Sequence, residues 1–596
     1  MCGIFAYIGG KPNAAQIILE GLKSLEYRGY DSWGVAVVPT ATKVKIDEGK
    51  IIIKKKAGKI SEATVDELPP SSFGFGHTRW ATHGGVTDLN AHPHLDCSST
   101  IAVIHNGIIE NYAEIKKDLL KKGHRFISET DTEVAAHLLE EFSKKANFVE
   151  AFRKTFNSLT GLSAIIALNT KDGTLVAART GSPLVVGFGR GENYLASDAV
   201  ALLPYTKLVH YLGDGELVAV TDEKVTLFDC CSGKRKEIHK IKLNWDVSLV
   251  EKGKFPYFML KEIYEQPKII ASIAQNGLSD AENLAKIIKK SAGTYMVGCG
   301  TASYISIAGA YLFSKIAKRH VNWAVGSEFG YHLDFLTPKS LVIALSQSGE
   351  TMDILESIKK AKAKKAKIFA LVNVLGSTLW READYKMLIG AGPEKGVAST
   401  KASTGKLAHL ILLSFAIANQ GKQGQKVLLK TVKASKKLLS TSSITKIRTL
   451  AKQLKHKDHI YVIGRGLSYP ASLETALKIK EISYIHAEGL AAGELKHGPL
   501  ALVEKGTPCI AFLPNDETYG ANLAGAMEMK ARGGYIIGIS YKPHEIFDYF
   551  VPVEDCAEAT IIPNIIFAQL FAYYLTIEKG LDPDKPRNLA KSVTVK

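Results

Sequence analysis

Two stretches of this chain repeat one pattern at nearly one offset, and that repeat constrains the fold more than any other feature. Thr294-Tyr295-Met296-Val297-Gly298-Cys299-Gly300 ends an apolar run and opens a helical pattern. His459-Ile460-Tyr461-Val462-Ile463-Gly464-Arg465-Gly466 does so again, 166 residues on from Gly298 to Gly464. Residues 341–351 and 508–518 form a second pair, offset by 167 from Glu350 to Glu517. Each half reads strand, glycine turn, helix, strand, polar turn, helix. That is a doubly wound α/β domain present twice. The expected boundaries are 251–435 and 436–585, followed by a tail at 586–596.

The copies differ at the polar turn. Ser346-Gln347-Ser348-Gly349-Glu350-Thr351 sets hydroxyls and a glycine before a helix starting near Met352. Hydroxyls, backbone N–H groups and a helix N-terminus together suit a phosphate. An N-cap turn serving only its helix accounts for the same residues. The second copy has Pro514-Asn515-Asp516 there, with a carboxylate and neither serine. Only the first copy is therefore expected to hold a phosphate.

Residues 1–235 read differently. Short β-rich runs at 101–104, 162–168 and 217–220 alternate with glycine-rich turns, which suggests layered sheets. A polar, lysine-rich passage from Ser232 to Glu237 follows, and long helical patterns begin near Tyr257. Residues 236–250 are expected to link the two parts, and 596 residues are too many for one core. The net charge of +17 comes mainly from lysines in amphipathic helical windows such as 359–367. They are not interleaved with stacking aromatics, so a solvated helix face explains them better than nucleic-acid binding. No charged segment followed by a long apolar stretch opens the chain, and no run of about 18 apolar residues occurs. The seven cysteines are scattered without a CxxC pair, which fits free thiols in a reducing cytoplasm.

Chemistry concentrates in a few segments. Removing Met1 would leave Cys2 with a thiol and an α-amine on one residue, so nucleophile and base would travel together. With Met1 attached that base does not exist. His77-Thr78-Arg79-Trp80-Ala81-Thr82-His83-Gly84 is dense in hydrogen-bonding groups, and its arginine suits a substrate carboxylate. His105-Asn106-Gly107 reads either as a hairpin turn or as an oxyanion hole. Asp131, in Ser128-Glu129-Thr130-Asp131-Thr132-Glu133, suits local capping or a substrate ammonium. His92-Pro93-His94-Leu95-Asp96-Cys97 offers several metal-ligand types, but no second cluster of matching spacing follows, and no metal is expected. Lys478 and Glu481 share a helix face and read first as a surface ion pair. His497 sits in a polar loop between turn formers, and residues 588–595 are too apolar for a frayed end.

Taken together, CGIFAYIG, LEYRGYDSWG, HTRWATHG, HNGIIEN, SETDTE, SQSGET, VASTKA, KEISYIHAEG, GELKHGPLAL and PRNLAKSVTV resemble the isomerising glutamine:fructose-6-phosphate amidotransferases along essentially the whole chain. The resemblance implies an α+β N-terminal-nucleophile hydrolase domain in αββα layers, followed by two doubly wound sugar-isomerase (SIS) domains. It implies that Cys2 attacks glutamine, its α-amine shuttles the proton, and Asn106 with the Gly107 N–H stabilises the oxyanion. Arg79 would hold the substrate carboxylate and Asp131 its ammonium, with Thr82, His83 and Gly84 lining the site and Trp80 gating an ammonia tunnel. Fructose 6-phosphate would meet Ser346, Gln347, Ser348 and Thr351, with Val397, Ser399, Thr301, Ser303 and Ala590 close by. His497 resembles the ring-opening group, supplied across a homodimer interface. Lys591 resembles the Schiff-base lysine and Glu481 the residue moving a proton between C1 and C2, assisted by Lys478. No cofactor, nucleic acid or membrane is implied.

One departure stands out: the family's usual CGTS loop is Cys299-Gly300-Thr301-Ala302-Ser303 here. The chain also lacks the long insertion of larger relatives, so no phosphorylation switch is expected there. Another terminal-cysteine amidotransferase would lack the doubled repeat. A silent phosphosugar sensor would be expected to lose Cys2, Lys591 or the 346–351 turn.

Overall fold

The computed structural model describes residues 2–40, 49–243 and 251–592. It divides into two compact units, one holding the described residues up to Glu251 and one holding Lys252–Leu375 and Leu379–Leu589. The short stretch Gly376–Thr378 and the tail from Ala590 group with the first.

The first unit is built on two antiparallel sheets. In the eight-stranded sheet, Gly3–Gly9 lies centrally between Phe73–Arg79 and Glu192–Ala196. The seven-stranded sheet contains Ile101–Gly107 between His94–Leu95 and Ser163–Asn169. Alternation along Gly3–Gly9 explains the layering, because side chains in a strand point to opposite faces. Ile4, Ala6 and Ile8 pack between the sheets against Ile104, Ile166 and Val218. Phe5 and Tyr7 face outward, onto Ile18 and Leu22 of the helix Ala14–Ser24. Val103 and Ile165 leave the other sheet outward, onto Val134 and Leu139 of the helix Glu133–Ser143 and Phe152 of Phe148–Ser158. Helix, sheet, sheet and helix stack as four layers, as expected for this class. Residues 236–250, expected as a linker, begin inside this unit: Arg235–Lys236 pairs with Val225–Asp229 and Ile241–Lys242 with Leu208–Tyr211. Asn244-Trp245-Asp246 lies outside the described residues.

The second unit holds two parallel sheets of five strands with identical order. One runs Asn322–Val325, Thr294–Gly298, Leu341–Ser346, Lys367–Val372, Tyr385–Leu388; the other runs His486–Ala491, His459–Gly464, Pro508–Leu513, Tyr535–Ser540, Tyr549–Pro552. In chain order both are 2-1-3-4-5, which opens a crevice between the first and third strands at their carboxyl ends. The shared glycines explain why both repeats turn so tightly. A Cβ on Gly298 would stand 2.4 Å from the Ala302 carbonyl carbon, and one on Gly464 would stand 2.1 Å from the Ser468 oxygen. Only glycine lets each helix start directly over its strand. Ile343 and Phe369, Ile510 and Phe512, and the helix Ile561–Glu578 share one apolar core. That helix is apolar enough to cross a membrane by length and composition, but its residues are buried within the unit.

Candidate active site

Cys2 lies at the mouth of the central strand of the first unit, where Gly3 pairs with Thr78. Its Sγ accepts the Trp80 N–H at 3.2 Å and stands 3.5 Å from the Trp80 carbonyl. Burial pushes the thiol pKa up, and the Trp80 N–H and the Arg79 charge offset this only in part. A thiol so placed needs a base to become a thiolate.

Asn106 meets Cys2 from the neighbouring sheet, its Nδ2 donating to the Cys2 carbonyl at 3.0 Å. The orientation of this amide follows from His77. His77 Nε2 lies 3.0 Å from both the His105 carbonyl and Asn106 Oδ1. A nitrogen facing a carbonyl carries the proton, so the Asn106 oxygen turns to His77 and its NH₂ to Cys2. The Asn-Gly pair is not a hairpin turn: Asn106 pairs with Ala164 and Gly107 with Ser163 at a strand end. Gly107 has φ +139°, and a Cβ there would stand 1.9 Å from the Leu162 oxygen. Asp131 does not cap its own helix. Its Oδ2 accepts the Ile109 N–H at 2.7 Å, so it fixes the segment following Gly107.

Arg79 is buried, and its guanidinium holds the loop carrying Thr82, His83 and Gly84. It donates to Gly85 O at 3.0 Å and Gly84 O at 3.1 Å, and also to His83 O. Two residues not singled out in the sequence complete this loop. Asn90 Nδ2 donates to Glu129 Oε2 at 2.8 Å and to Gly85 O at 3.1 Å. Asp31 likewise accepts the Ala81 N–H at 2.8 Å and so positions Trp80. His83 packs edge-on to Tyr112, and Trp80 and His83 are half-buried while Thr82 is exposed.

In the second unit, the 346–351 turn occupies the crevice of the first parallel sheet. Ser346 Oγ accepts the Gly349 N–H at 2.9 Å and lies 3.2 Å from Thr351 Oγ1; Ser348 Oγ accepts the Glu350 N–H at 3.1 Å. Thr351 precedes the helix Met352–Ala363. The corresponding turn of the second copy fills itself, since Asp516 Oδ1 accepts the Thr518 N–H at 2.8 Å and its hydroxyl at 2.6 Å. Gln347 is anchored by its carbonyl, which accepts the Asn373 N–H at 3.0 Å. The Val397 N–H donates to Asp584 O at 3.2 Å, and beside it the buried Ser399 Oγ has no hydrogen-bond partner among the described residues.

Lys478 is not on the surface. Fully buried on the helix Ser468–Ser483, it contacts Glu481 and lies 3.5 Å from Glu474 Oε1. Burial alone would lower its pKa, but the two carboxylates outweigh this and raise it. Glu474, not singled out in the sequence, is pushed up to about 7 by burial and accepts the Thr301 hydroxyl at 3.3 Å. Ser303 Oγ donates to Gly300 O at 2.7 Å. His497 is exposed at the end of a 3₁₀ turn, while Ala590 and Lys591 are half-buried. The chain before them is pinned by the Arg587 N–H, which donates to Tyr484 Oη at 2.8 Å. Residues 593–595, expected to dock, lie outside the described residues.

A family model described as a glutamine amidotransferase domain matches residues 77–204, and one described as an SIS domain matches 287–416 and 453–578. The glutamine–fructose-6-phosphate aminotransferases [isomerizing] of Pyrococcus horikoshii and Thermus thermophilus are 45% and 41% identical, over all of this chain and of theirs. The solved C-terminal domain of glucosamine-fructose-6-phosphate aminotransferase from Francisella tularensis matches 56% of this chain and all of that domain, at 34% identity and a TM-score of 0.52. The chain belongs to the isomerising glutamine–fructose-6-phosphate aminotransferases. Its departure from the family loop at Ala302 has a structural consequence. Neither neighbouring hydroxyl stands in as a free donor, because Thr301 gives its proton to Glu474 and Ser303 gives its own to Gly300.

Proposed function

We propose that this protein makes glucosamine 6-phosphate and glutamate from fructose 6-phosphate and glutamine, as the first step of amino-sugar (UDP-N-acetylglucosamine) synthesis in the cytoplasm. The match to its relatives over the entire length of both chains carries this reading, because neither a glutaminase nor a sugar isomerase alone would need both units. The first unit hydrolyses glutamine, the repeats at 251–435 and 436–585 bind and convert the sugar, and the tail that follows supplies Lys591.

With Met1 removed, the Cys2 thiolate attacks the amide carbon and its α-amine gives the thiol proton to the departing ammonia. The resulting thioester is then hydrolysed to glutamate. Asn106 Nδ2 turns from the Cys2 carbonyl toward the oxyanion, joined by the Gly107 N–H. The guanidinium N–H groups that Arg79 does not spend on its loop take the substrate carboxylate, and Asp131 takes the ammonium. Trp80 gates the passage of ammonia.

In the sugar half, Ser346, Gln347, Ser348 and Thr351 hold the phosphate, with Val397, Ser399 and Ala590 beside the sugar. His497, supplied across a homodimer interface, opens the ring. Lys591 condenses with the C2 ketone, losing water, and ammonia displaces the lysine from that imine. Glu481, assisted by Lys478, then carries a proton from C1 to C2, which leaves an aldose bearing an amine.

Incubating the purified full chain with glutamine and fructose 6-phosphate should yield glucosamine 6-phosphate and glutamate in equal amounts. Robust glutamine hydrolysis without any aminated sugar would sink the assignment. Mass spectrometry of the active protein should find Cys2 at its N-terminus.

A further inference from the structure

Cys97, His124, His137 and Glu140 converge in the first unit from three separate segments of the sequence. Cys97 lies in the turn between His94–Leu95 and Ile101–Gly107. That turn is set by Asp96, whose Oδ1 accepts the N–H groups of Thr100 at 2.7 Å and Ile101 at 2.8 Å. His124 follows the helix Tyr112–Lys121, with its N–H on Leu119 O at 3.1 Å. His137 and Glu140 are three apart on the helix Glu133–Ser143 and share a face.

Four of the six ligand-atom separations approach those of a coordination shell. Cys97 Sγ lies 3.5 Å from His124 Nδ1 and 3.5 Å from His137 Nδ1. Glu140 Oε2 lies 3.1 Å from His124 Nδ1 and 3.5 Å from His137 Nδ1. All four ligand atoms fall within 4.8 Å of one another. A tetrahedral zinc ion with bonds of about 2.0–2.3 Å sets its ligands about 3.3–3.7 Å apart. One outward nitrogen is held by a carboxylate, His124 Nε2 lying 3.0 Å from Glu141 Oε1, whereas His137 Nε2 stands 3.6 Å from Glu133 Oε1, too far for a hydrogen bond. Carboxylates behind imidazoles are the arrangement that orients metal-bound histidines and keeps the inner nitrogen as a lone-pair donor.

Without a cation, His124 and His137 would both aim an Nδ1 proton at the Cys97 sulfur or at Glu140 Oε2, which already accepts the Cys97 N–H at 3.2 Å. A thiolate, a carboxylate and two neutral imidazoles instead balance the charge of one Zn²⁺. The mixed sulfur, nitrogen and oxygen set suits zinc, and four protein ligands close the site to chemistry.

We propose that Cys97, His124, His137 and Glu140 bind a structural zinc ion. It staples the helix Glu133–Ser143, and with it the neighbouring Asp131, to the turn after His94–Leu95. The short-range set His92–His94–Cys97 is not what the fold assembles. His92 stacks on His77 at 4.2 Å, and His94 bonds Thr130 at 2.9 Å.

The test uses the full chain, stripped by a chelator, reloaded with zinc and counted by inductively coupled plasma mass spectrometry. Wild type and the Cys231→Ser control should each hold about one zinc, as a closed structural site requires. Cys97→Ser, a change at an exposed side chain, and His137→Gln should hold less than about a tenth of that. Cobalt loading should give wild type the intense visible bands and thiolate charge-transfer band of a tetrahedral sulfur site, absent in Cys97→Ser. Zinc should raise the Tm of wild type but not of Cys97→Ser. Wild type without stoichiometric zinc, or Cys97→Ser retaining zinc and the cobalt spectrum, would overturn the proposal.

Discussion

Cys2 is held by backbone, and the groups around it are held by residues that never touch it. The Trp80 N–H sets its sulfur, while His77 decides which end of the Asn106 amide faces it. Cys2→Ala should abolish glutamine hydrolysis and glutamine-dependent synthesis while leaving fructose 6-phosphate binding by calorimetry unchanged. Loss of one oxyanion donor typically lowers kcat by about 10²–10³, and Asn106→Ala should fall in that range. His77 acts through Asn106 as a positioning residue. His77→Phe should therefore lower kcat without a matching rise in the KM for glutamine, and a pure KM effect would contradict its role. Asn106 and Gly107 stand out from three letters of sequence, although the same letters also spell a hairpin turn. His77 lies in a quoted motif, yet nothing local shows which partner it serves.

At the scale of elements, the helix Ser468–Ser483 shows what periodicity conveys and what it hides. Glu474, Lys478 and Glu481 recur at helical spacing, so one face is expected to carry all three. That spacing reads as a solvated ion pair, whereas the helix packs this face into the unit and leaves Lys478 with no exposed surface. Removing one member of a buried charge group costs about 3–5 kcal/mol, because its partners stay buried uncompensated. Lys478→Met should cost that much in denaturant unfolding of the second unit, whereas Lys480→Met, on an exposed position of the same helix, should change it little. The glycines ending the first strand of each repeat belong to this scale too. Their motif was visible in sequence, and the close approach of the following helix supplies its cause.

At the scale of the whole molecule, the two units can be addressed separately. Lys591→Ala should stop formation of aminated sugar while glutamine hydrolysis continues, read by glutamate release in the same assay. The first unit should also be the more acid-sensitive. His77, His92, His94 and His105 are buried there, and burial holds their pKa values down, that of His77 to about 3. The unfolded chain accepts these protons below about 6.5, and the folded unit refuses them. Stability is therefore full above that range and lost as pH falls through it, by up to about 1.4 kcal/mol per pH unit for each histidine. The urea midpoint of the first unit's transition should drop between pH 7 and pH 5.5, and an unchanged midpoint would show that these rings are not held neutral.

The sequence by itself determined the doubled α/β architecture, the layered sheets before it and most of the motifs bearing chemistry. Hydrophobic period and glycine placement are local properties, repeated along each element, so they can be read without knowing what the element meets. Tertiary structure alone decided which side chains converge. Glu474 meets Thr301 across two helices, Asn90 meets Glu129 across a loop, and Cys97 meets His124, His137 and Glu140 from three segments. Such meetings depend on strand register and helix docking, which bring distant positions within a few ångströms and leave no period in the chain to announce them.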